Sequence, residues 1–205
     1  MRTLTKTLQD AITPELALNL LKEGNARFVS NLKMNRNLLQ QVNETTESQH
    51  PFAVIISCMD SRTSAELIFD QGLGDIFSIR IAGNIINEAI LGSAEFGCKI
   101  VGSKIIAVVG HTGCGAIKGA VGYAELGHLH FITSKIQRCI PGIKSQFTQI
   151  SDEELIKKVT VENIKLSIQD LRAQSSILEE MVHKKEIIIV GALYDVTTGS
   201  VDFFE

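Results

Sequence analysis

Short, mostly apolar runs constrain the fold of this chain more than any other feature. Such runs are typical of strands that are buried on both faces of a parallel sheet. The stretches between them have the periodicity of helices, and this alternation predicts an α/β fold around a mainly parallel sheet. The four predicted parallel strands are Phe52–Ile56, Ile76–Ile81, Lys104–Val109 and Glu186–Val190.

The two ends of the chain complete this predicted architecture. Thr13, followed by Pro14, has the pattern of a helix N-cap and first turn, and the polar stretch Asn31–Gln49 is interpreted as a linker or arm. We therefore expect an N-terminal helical arm and linker over 1–49 and an α/β domain over 50–205. A turn before Val201–Phe204 predicts a final antiparallel edge strand. Helical patterns cover 63–71, 86–100, 115–124, 128–139 and 152–183.

Charge and hydropathy exclude two classes of partner. The 205 residues carry 20 Lys and Arg against 23 Asp and Glu, a net charge of −3, without long runs of either sign. This balance argues against binding to nucleic acid or to an anionic membrane. The apolar runs are far too short to span a bilayer. Because the first residues lack the apolar core of a signal peptide, we expect a cytoplasmic protein.

Candidate metal ligands follow two of the predicted strands. Cys58 comes directly after the first strand, and His111 and Cys114 come directly after the third. Since ligands in open α/β sheets bind at the carboxyl ends of the strands, these side chains converge if the two strands are neighbours. Two thiolates and one imidazole suit zinc and leave a fourth position open. The remaining cysteines, Cys98 and Cys139, lie in helical patterns and are interpreted as buried thiols.

A carboxylate and a guanidinium lie close to the first of these ligands. Asp60 and Arg62 follow Cys58 by two and four residues. The carboxylate is placed to accept a hydrogen bond from a water molecule on zinc, or to become the fourth zinc ligand itself. Arg62 is expected to hold Asp60 by a bidentate pair and to keep it ionised.

These motifs together resemble the β-class carbonic anhydrases. The resemblance rests on Cys-x-Asp-x-Arg followed by His-x-x-Cys, and it extends over most of 50–202, including Asp70–Asp75, Arg80–Asn84 and Gly191–Asp195. It implies one Zn²⁺ per chain, held by Cys58, His111 and Cys114, and a catalytic pair formed by Asp60 and Arg62.

The resemblance also implies a substrate, a pocket and an assembly. The reaction is a lyase reaction, the reversible hydration of carbon dioxide to bicarbonate and a proton by zinc-bound hydroxide. The pocket residues of plant-type members correspond to Gln49, Phe77, Ala82 and Phe96. A homodimer or tetramer is expected, with the N-terminal arm packed on a neighbouring copy.

Two other functions remain open at this point. The same zinc site could hydrolyse carbonyl sulfide or carbon disulfide. Alternatively, Asp60 could cap the zinc permanently, which would leave a non-catalytic member that senses bicarbonate; Arg62 argues against this, because it can draw Asp60 away from the metal. Other metals that such a site accepts are cobalt, iron and cadmium.

Overall fold

A five-stranded sheet forms the centre of the protein, for which a computed structural model describes residues 3–147 and 149–204. The strand order is β2-β1-β3-β4-β5, with β1 to β4 parallel and β5 antiparallel to β4. This confirms the predicted α/β class with its antiparallel edge. The strands are β1 (Ala53–Ser57), β2 (Ile76–Arg80), β3 (Ile105–His111), β4 (Ile188–Tyr194) and β5 (Val201–Phe204).

The register of the sheet brings the ends of β1 and β2 level, and β3 continues two residues further to His111. Ser57, the last residue of β1, pairs with Arg80 of β2 on one side and with Val109 of β3 on the other. β4 continues beyond the predicted end of the strand because Gly191 has no side chain. A Cβ at this position would lie 2.5 Å from the ring of Phe204, which packs across it from β5.

Helices precede and connect the strands. Among the described residues, no helix is both long enough and apolar enough to cross a bilayer. A short 3₁₀ turn covers Ala82–Asn84 and a π-helical turn covers Phe96–Val101. The α-helices are α1 (Lys6–Ala11), α2 (Pro14–Val29), α3 (Leu38–Glu44), α4 (Ala65–Ile68), α5 (Glu88–Glu95), α6 (Gly115–Val121), α7 (Leu129–Gln137), α8 (Ile140–Gln146), α9 (Asp152–Gln174) and α10 (Ser176–His183).

Several helical boundaries differ from the prediction. The stretch interpreted as a linker contains α3, which Asn37 caps by accepting a hydrogen bond from the Gln40 N–H. The predicted helix over 152–183 is two helices, because Ser175 ends α9 and its side chain caps α10. The predicted N-cap at Thr13 is present, and its side chain accepts from the Leu16 N–H. α1 and α8 were not predicted.

Helices cover both faces of the sheet. On one face, Ala17 and Leu21 of α2 pack with alternate residues of β1 and β3. On the other face, Ile164 and Leu171 of α9 pack against the remaining residues of the same strands. A third apolar cluster surrounds Cys58 and Cys114 at the carboxyl end of the sheet. Because β1 is buried on both faces, its residues do not alternate between apolar and polar.

A buried carboxylate ties the N-terminal segment to the sheet domain. Asp70 accepts hydrogen bonds from Arg27 Nε at 2.6 Å, from Arg36 Nη1 at 2.5 Å and from the Met34 N–H at 3.2 Å. Its side chain is only 3% exposed. Burial alone would raise the pKa of Asp70, but the two guanidinium groups outweigh burial and hold this pKa below its ordinary value.

Candidate metal centre

Three donor side chains converge at the carboxyl ends of β1 and β3. Cys58 follows β1, His111 is the last residue of β3, and Cys114 is the N-cap residue of α6. Their ligand atoms all lie within 4.8 Å of one another, and all three residues are buried. The parallel pairing of β1 with β3 therefore brings together the residues that the sequence predicts as ligands.

The imidazole of His111 is oriented as a metal ligand requires. Its Nδ1 lies 3.0 Å from the Thr112 carbonyl oxygen, so Nδ1 carries the proton and Nε2 presents a lone pair. Nε2 is buried and has no hydrogen-bond partner within 3–147 and 149–204. An unpaired buried nitrogen beside two thiols fits a metal ion, and the donor set of two sulfurs and one imidazole fits zinc.

The contact between the two thiols favours ionisation of Cys58 and disfavours ionisation of Cys114. Cys58 Sγ and Cys114 Sγ lie 3.9 Å apart. A hydrogen bond from Cys114 is the main cause that lowers the pKa of Cys58, and the Gly83 N–H acts in the same direction against burial. The same hydrogen bond and burial raise the pKa of Cys114, which keeps the shared proton. A cation that replaces this proton is therefore well matched to the pair.

The backbone around Cys58 is held by groups that sequence reasoning missed. The Gly83 N–H donates to Cys58 Sγ at 3.4 Å. The Thr63 hydroxyl lies 2.9 Å from the carbonyl oxygens of both Cys58 and Asp60, and Arg80 Nε donates to the Cys58 carbonyl oxygen at 3.3 Å. The sequence indicates the segment Arg80–Asn84 only through the family resemblance. Its contacts with the loop after β1 were not predicted.

Asp60 and Arg62 form the expected bidentate pair. Arg62 Nε donates to Asp60 Oδ1 at 2.9 Å, and Arg62 Nη2 donates to Oδ2 at 2.8 Å. The Arg62 N–H also donates to Oδ1. These bonds hold the pKa of Asp60 far below its ordinary value. Asp60 Oδ2 lies 3.9 Å from His111 Nε2, so this ionised oxygen faces the converging ligand atoms.

The four predicted pocket residues occupy different places. Ala82 begins the turn that holds Gly83 beside Cys58. Phe77 and Phe96, with ring centroids 6.3 Å apart, line an open surface cavity of about 400 Å³. Phe77 pairs with Val54, four positions before Cys58, which is roughly 13 Å along the strand at about 3.3 Å per residue.

Gln49 lies at the opposite end of the sheet from the metal ligands. It precedes β1 and lines a surface cavity together with Leu73 and Gly74. Within a single chain, the structure therefore brings Ala82 next to the metal centre but leaves Gln49 and the Phe77–Phe96 pair on other surfaces.

The fold and the site together define a class of protein. A buried set of two cysteines and one histidine lies at the carboxyl ends of neighbouring parallel strands, with an arginine-bound carboxylate facing it. These features define an α/β protein with a candidate metal centre, whose three donors would leave a fourth position open beside an ionised acceptor, as catalytic zinc sites do.

Comparisons with known proteins identify the family. The family model described as carbonic anhydrase matches residues 53–201. A carbonic anhydrase of Mycolicibacterium smegmatis is 31% identical over 196 residues, which cover 92% of each chain. The β-carbonic anhydrase CafA of Aspergillus fumigatus has a similar structure, with a TM-score of 0.74, 25% identity and coverage of 93% of this chain and 90% of that one.

A second solved structure shows the same fold at lower identity. A tetrameric β-carbonic anhydrase from Sordaria macrospora has a TM-score of 0.71 at 20% identity, with coverage of 79% of this chain and 84% of that one. The chain belongs to the carbonic anhydrase family, in its β class. The resemblance inferred from the sequence is thereby confirmed.

Proposed function

We propose that this enzyme catalyses the reversible hydration of carbon dioxide to bicarbonate and a proton, with one zinc ion held by Cys58, His111 and Cys114. The observation that carries the proposal is the convergence of these three buried donors beside the ionised Asp60. Zinc, when bound there, lowers the pKa of a water molecule so that a nucleophile is present near neutral pH.

In this proposal Asp60 orients the attacking nucleophile. Because the Arg62 pair keeps Asp60 ionised, its carboxylate acts only as a hydrogen-bond acceptor. An acceptor facing the three ligand atoms binds the proton of the nucleophile and directs a lone pair toward the substrate. The bidentate geometry fixes the carboxylate in this orientation, and Arg62 thereby acts as its positioning residue.

The engagement of both Asp60 oxygens by Arg62 favours catalysis over a permanently capped metal. A carboxylate that closed the fourth position would have to release at least part of this pair. Hydrolysis of carbonyl sulfide or carbon disulfide would use the same donors. No contact at the metal centre favours either sulfur compound over carbon dioxide as the substrate, and both remain outcomes of the experiment below.

We further propose that the active protein is a homodimer or a tetramer. Gln49 and the Phe77–Phe96 pair lie on surfaces away from the ligands of their own chain, whereas Ala82 lies close to them. Phe96 is 53% exposed, which leaves an apolar side chain free to reach the site of a second copy. The molar mass in solution, measured at the concentration of the activity assay, tests this. A protein that is monomeric under these conditions and still fully active would contradict the proposal.

A cytoplasmic location stays a prediction.

Stopped-flow hydration of carbon dioxide tests the proposed reaction. The purified protein, with its zinc content measured, is assayed with a pH indicator from about pH 6.5 to about pH 9, the range around the pKa of water on zinc. We expect fast hydration that requires one zinc per chain. Zinc-loaded protein that is inert with carbon dioxide but hydrolyses a sulfur compound would contradict the substrate, and inertness with both would favour the capped alternative.

Asp60→Asn tests the proposed role of the carboxylate. The amide keeps the shape of the side chain but loses the charge, so zinc should stay bound while turnover falls by about 10²-fold or more. Asp10→Asn is the matched control, since Asp10 lies on an exposed face and forms its ion pair with Lys6. Full activity of Asp60→Asn at neutral pH would show that the carboxylate does not orient the nucleophile.

A further inference from the structure

Two buried polar side chains of α9 reach the turn beside the metal centre. Asn163 Nδ2 donates to the Gly83 carbonyl oxygen at 2.8 Å, and Ser167 Oγ donates to the Asn84 carbonyl oxygen at 3.0 Å. Asn163 is 2% exposed and Ser167 is 3% exposed. Residues four positions apart lie on the same face of a helix, so one face of α9 binds two consecutive carbonyl groups of this turn.

Gly83 links that helix face to a metal ligand. Its carbonyl oxygen accepts from Asn163, while its N–H donates to Cys58 Sγ at 3.4 Å. The residue has a φ of +68°, in the left-handed region that favours glycine, and an added Cβ would lie 2.7 Å from Ile136 Cδ1. The turn therefore has little freedom on this side, and its orientation depends on how α9 holds the two carbonyl groups.

We propose that Asn163 and Ser167 are positioning residues for Cys58, because by fixing the turn they keep the Gly83 N–H directed at the Cys58 sulfur. The inference deepens the proposed function and rests on its metal centre. A hydrogen bond to a thiolate withdraws part of its charge and so adjusts how strongly the sulfur donates to a metal. α9 would thus set a property of the ligand without contacting the ligand itself.

The chemistry of the helix face supports a specific role over ordinary packing. α9 buries Ile164 and Leu171 against the sheet, and apolar residues would satisfy that contact at the neighbouring positions as well. Polar side chains buried among them are costly unless they are hydrogen-bonded. Here both are bonded, and their acceptors belong to consecutive residues of the one turn that donates to Cys58.

Cobalt-loaded protein gives a readout that does not depend on turnover. The energy of the thiolate-to-cobalt charge-transfer band in the near ultraviolet follows the electron density on the sulfur ligands. The variants are Asn163→Leu, which keeps the branched shape of the side chain but cannot donate a hydrogen bond, and Ser167→Ala. Thr160→Val is the matched control, because its hydroxyl lies on the same helix, is also buried and is bonded to the Ile156 carbonyl oxygen of α9 itself.

We expect both test variants to shift the charge-transfer band to longer wavelength, since the sulfur regains electron density. Zinc affinity, measured by competition with a chromophoric chelator, should nevertheless fall by about 10-fold, because loss of the orientation of Cys58 outweighs the stronger donation by its sulfur. Thr160→Val should change neither quantity. Circular dichroism and thermal unfolding establish that each variant is folded. If Asn163→Leu does not fold, the test uses Ser167→Ala alone.

Three results would overturn the inference. Spectra and affinities of both folded variants that match the wild type would show that α9 does not influence the ligand. An equal shift in Thr160→Val would attribute the effect to helix packing in general. Wild-type protein that binds neither metal would refute the proposed metal centre, and this inference with it, whereas normal wild-type binding with unchanged variants refutes the inference alone.

Discussion

Replacing Asp70 with asparagine tests how the N-terminal segment is held. Asp70 has a φ of +45°, and asparagine tolerates this left-handed conformation as well as aspartate does. The two side chains have nearly the same size. The substitution therefore removes the charge that faces Arg27 and Arg36 while leaving backbone strain and packing almost unchanged.

The expected loss follows from the burial of this ion pair network. Asp70 is 3% exposed and Arg36 is 7% exposed. Water therefore cannot reach the Arg36 guanidinium to compensate for the lost charge of the carboxylate. Breaking a buried pair by neutralising one partner costs about 3–5 kcal/mol. Since Arg27 is 29% exposed and can regain water, we expect the lower end, about 3 kcal/mol. For a chain of this size, that corresponds to a fall of about 6–12 °C in Tm.

Urea unfolding at several pH values measures this effect and its sign. The pKa of Asp70 is lowered in the folded state, so its stabilising contribution is complete above the unfolded pKa of about 3.9 and is lost as the pH falls through the lower folded value. The difference in free energy of unfolding between the wild type and Asp70→Asn should be constant near neutral pH and should become smaller below about pH 4. A chelator removes metal binding from both proteins. A fixed protein concentration keeps the effect of assembly on the free energy of unfolding the same for both.

A surface pair provides the control for this experiment. Lys6 and Asp10 form an equally short ion pair at 2.6 Å, but both side chains are more than half exposed. Asp10→Asn should therefore leave the unfolding curve unchanged. An Asp70→Asn variant within about 0.5 kcal/mol of the wild type, as for ordinary surface substitutions, would refute the reasoning that burial makes this network stabilising.

Other substitutions test packing and metal binding. Gly24→Ala should lower the free energy of unfolding by about 3 kcal/mol, because the added Cβ would lie 1.8 Å from the Phe69 carbonyl oxygen. Gly92→Ala is the control, since its Cβ would enter open space and should not destabilise the protein. Equal stability of the two variants in urea titration would contradict this. Cys114→Ala should lose zinc and activity while Cys139→Ala keeps both, as metal analysis can check. Removal of zinc by a chelator should lower Tm, since a ligand bound at 100 times its Kd stabilises by about 2.7 kcal/mol.

The strands and the metal ligands could be predicted because their signals are local. β1 and β3 are buried on both faces and therefore read as continuous apolar runs. Cys58, His111 and Cys114 follow directly after such runs, so strand adjacency alone brings them together.

Helices without an ordinary apolar stripe were harder to predict. α3 exposes Leu38, Leu39 and Val42, so its apolar residues do not follow the pattern of a helix packed on a core. α8 has Pro141 and Gly142 in its first turn, and this pair is more typical of a turn than of a helix. In both cases the local sequence indicated a connection where the structure has a helix.

The residues that support the site could not be predicted, because their partners are distant in the chain. Asn163 and Ser167 lie 80 and 83 positions from the carbonyl groups they bind. Nothing in a helical pattern indicates which turn a buried asparagine contacts. The pocket residues Gln49, Phe77 and Phe96 were assigned by resemblance, and a single chain does not show what they contact in an assembly.

The parallel register of β1 and β3 also determines when a metal can act during folding. Cys58 and His111 approach each other only after these two strands, which are distant along the chain, have paired. Pairing of this kind forms slowly, because loop closure precedes the contacts that stabilise it. If the complete site is absent from the folding transition state, zinc should slow unfolding and leave the folding rate unchanged. The resident ion would then lengthen the lifetime of the native enzyme without guiding the chain toward it.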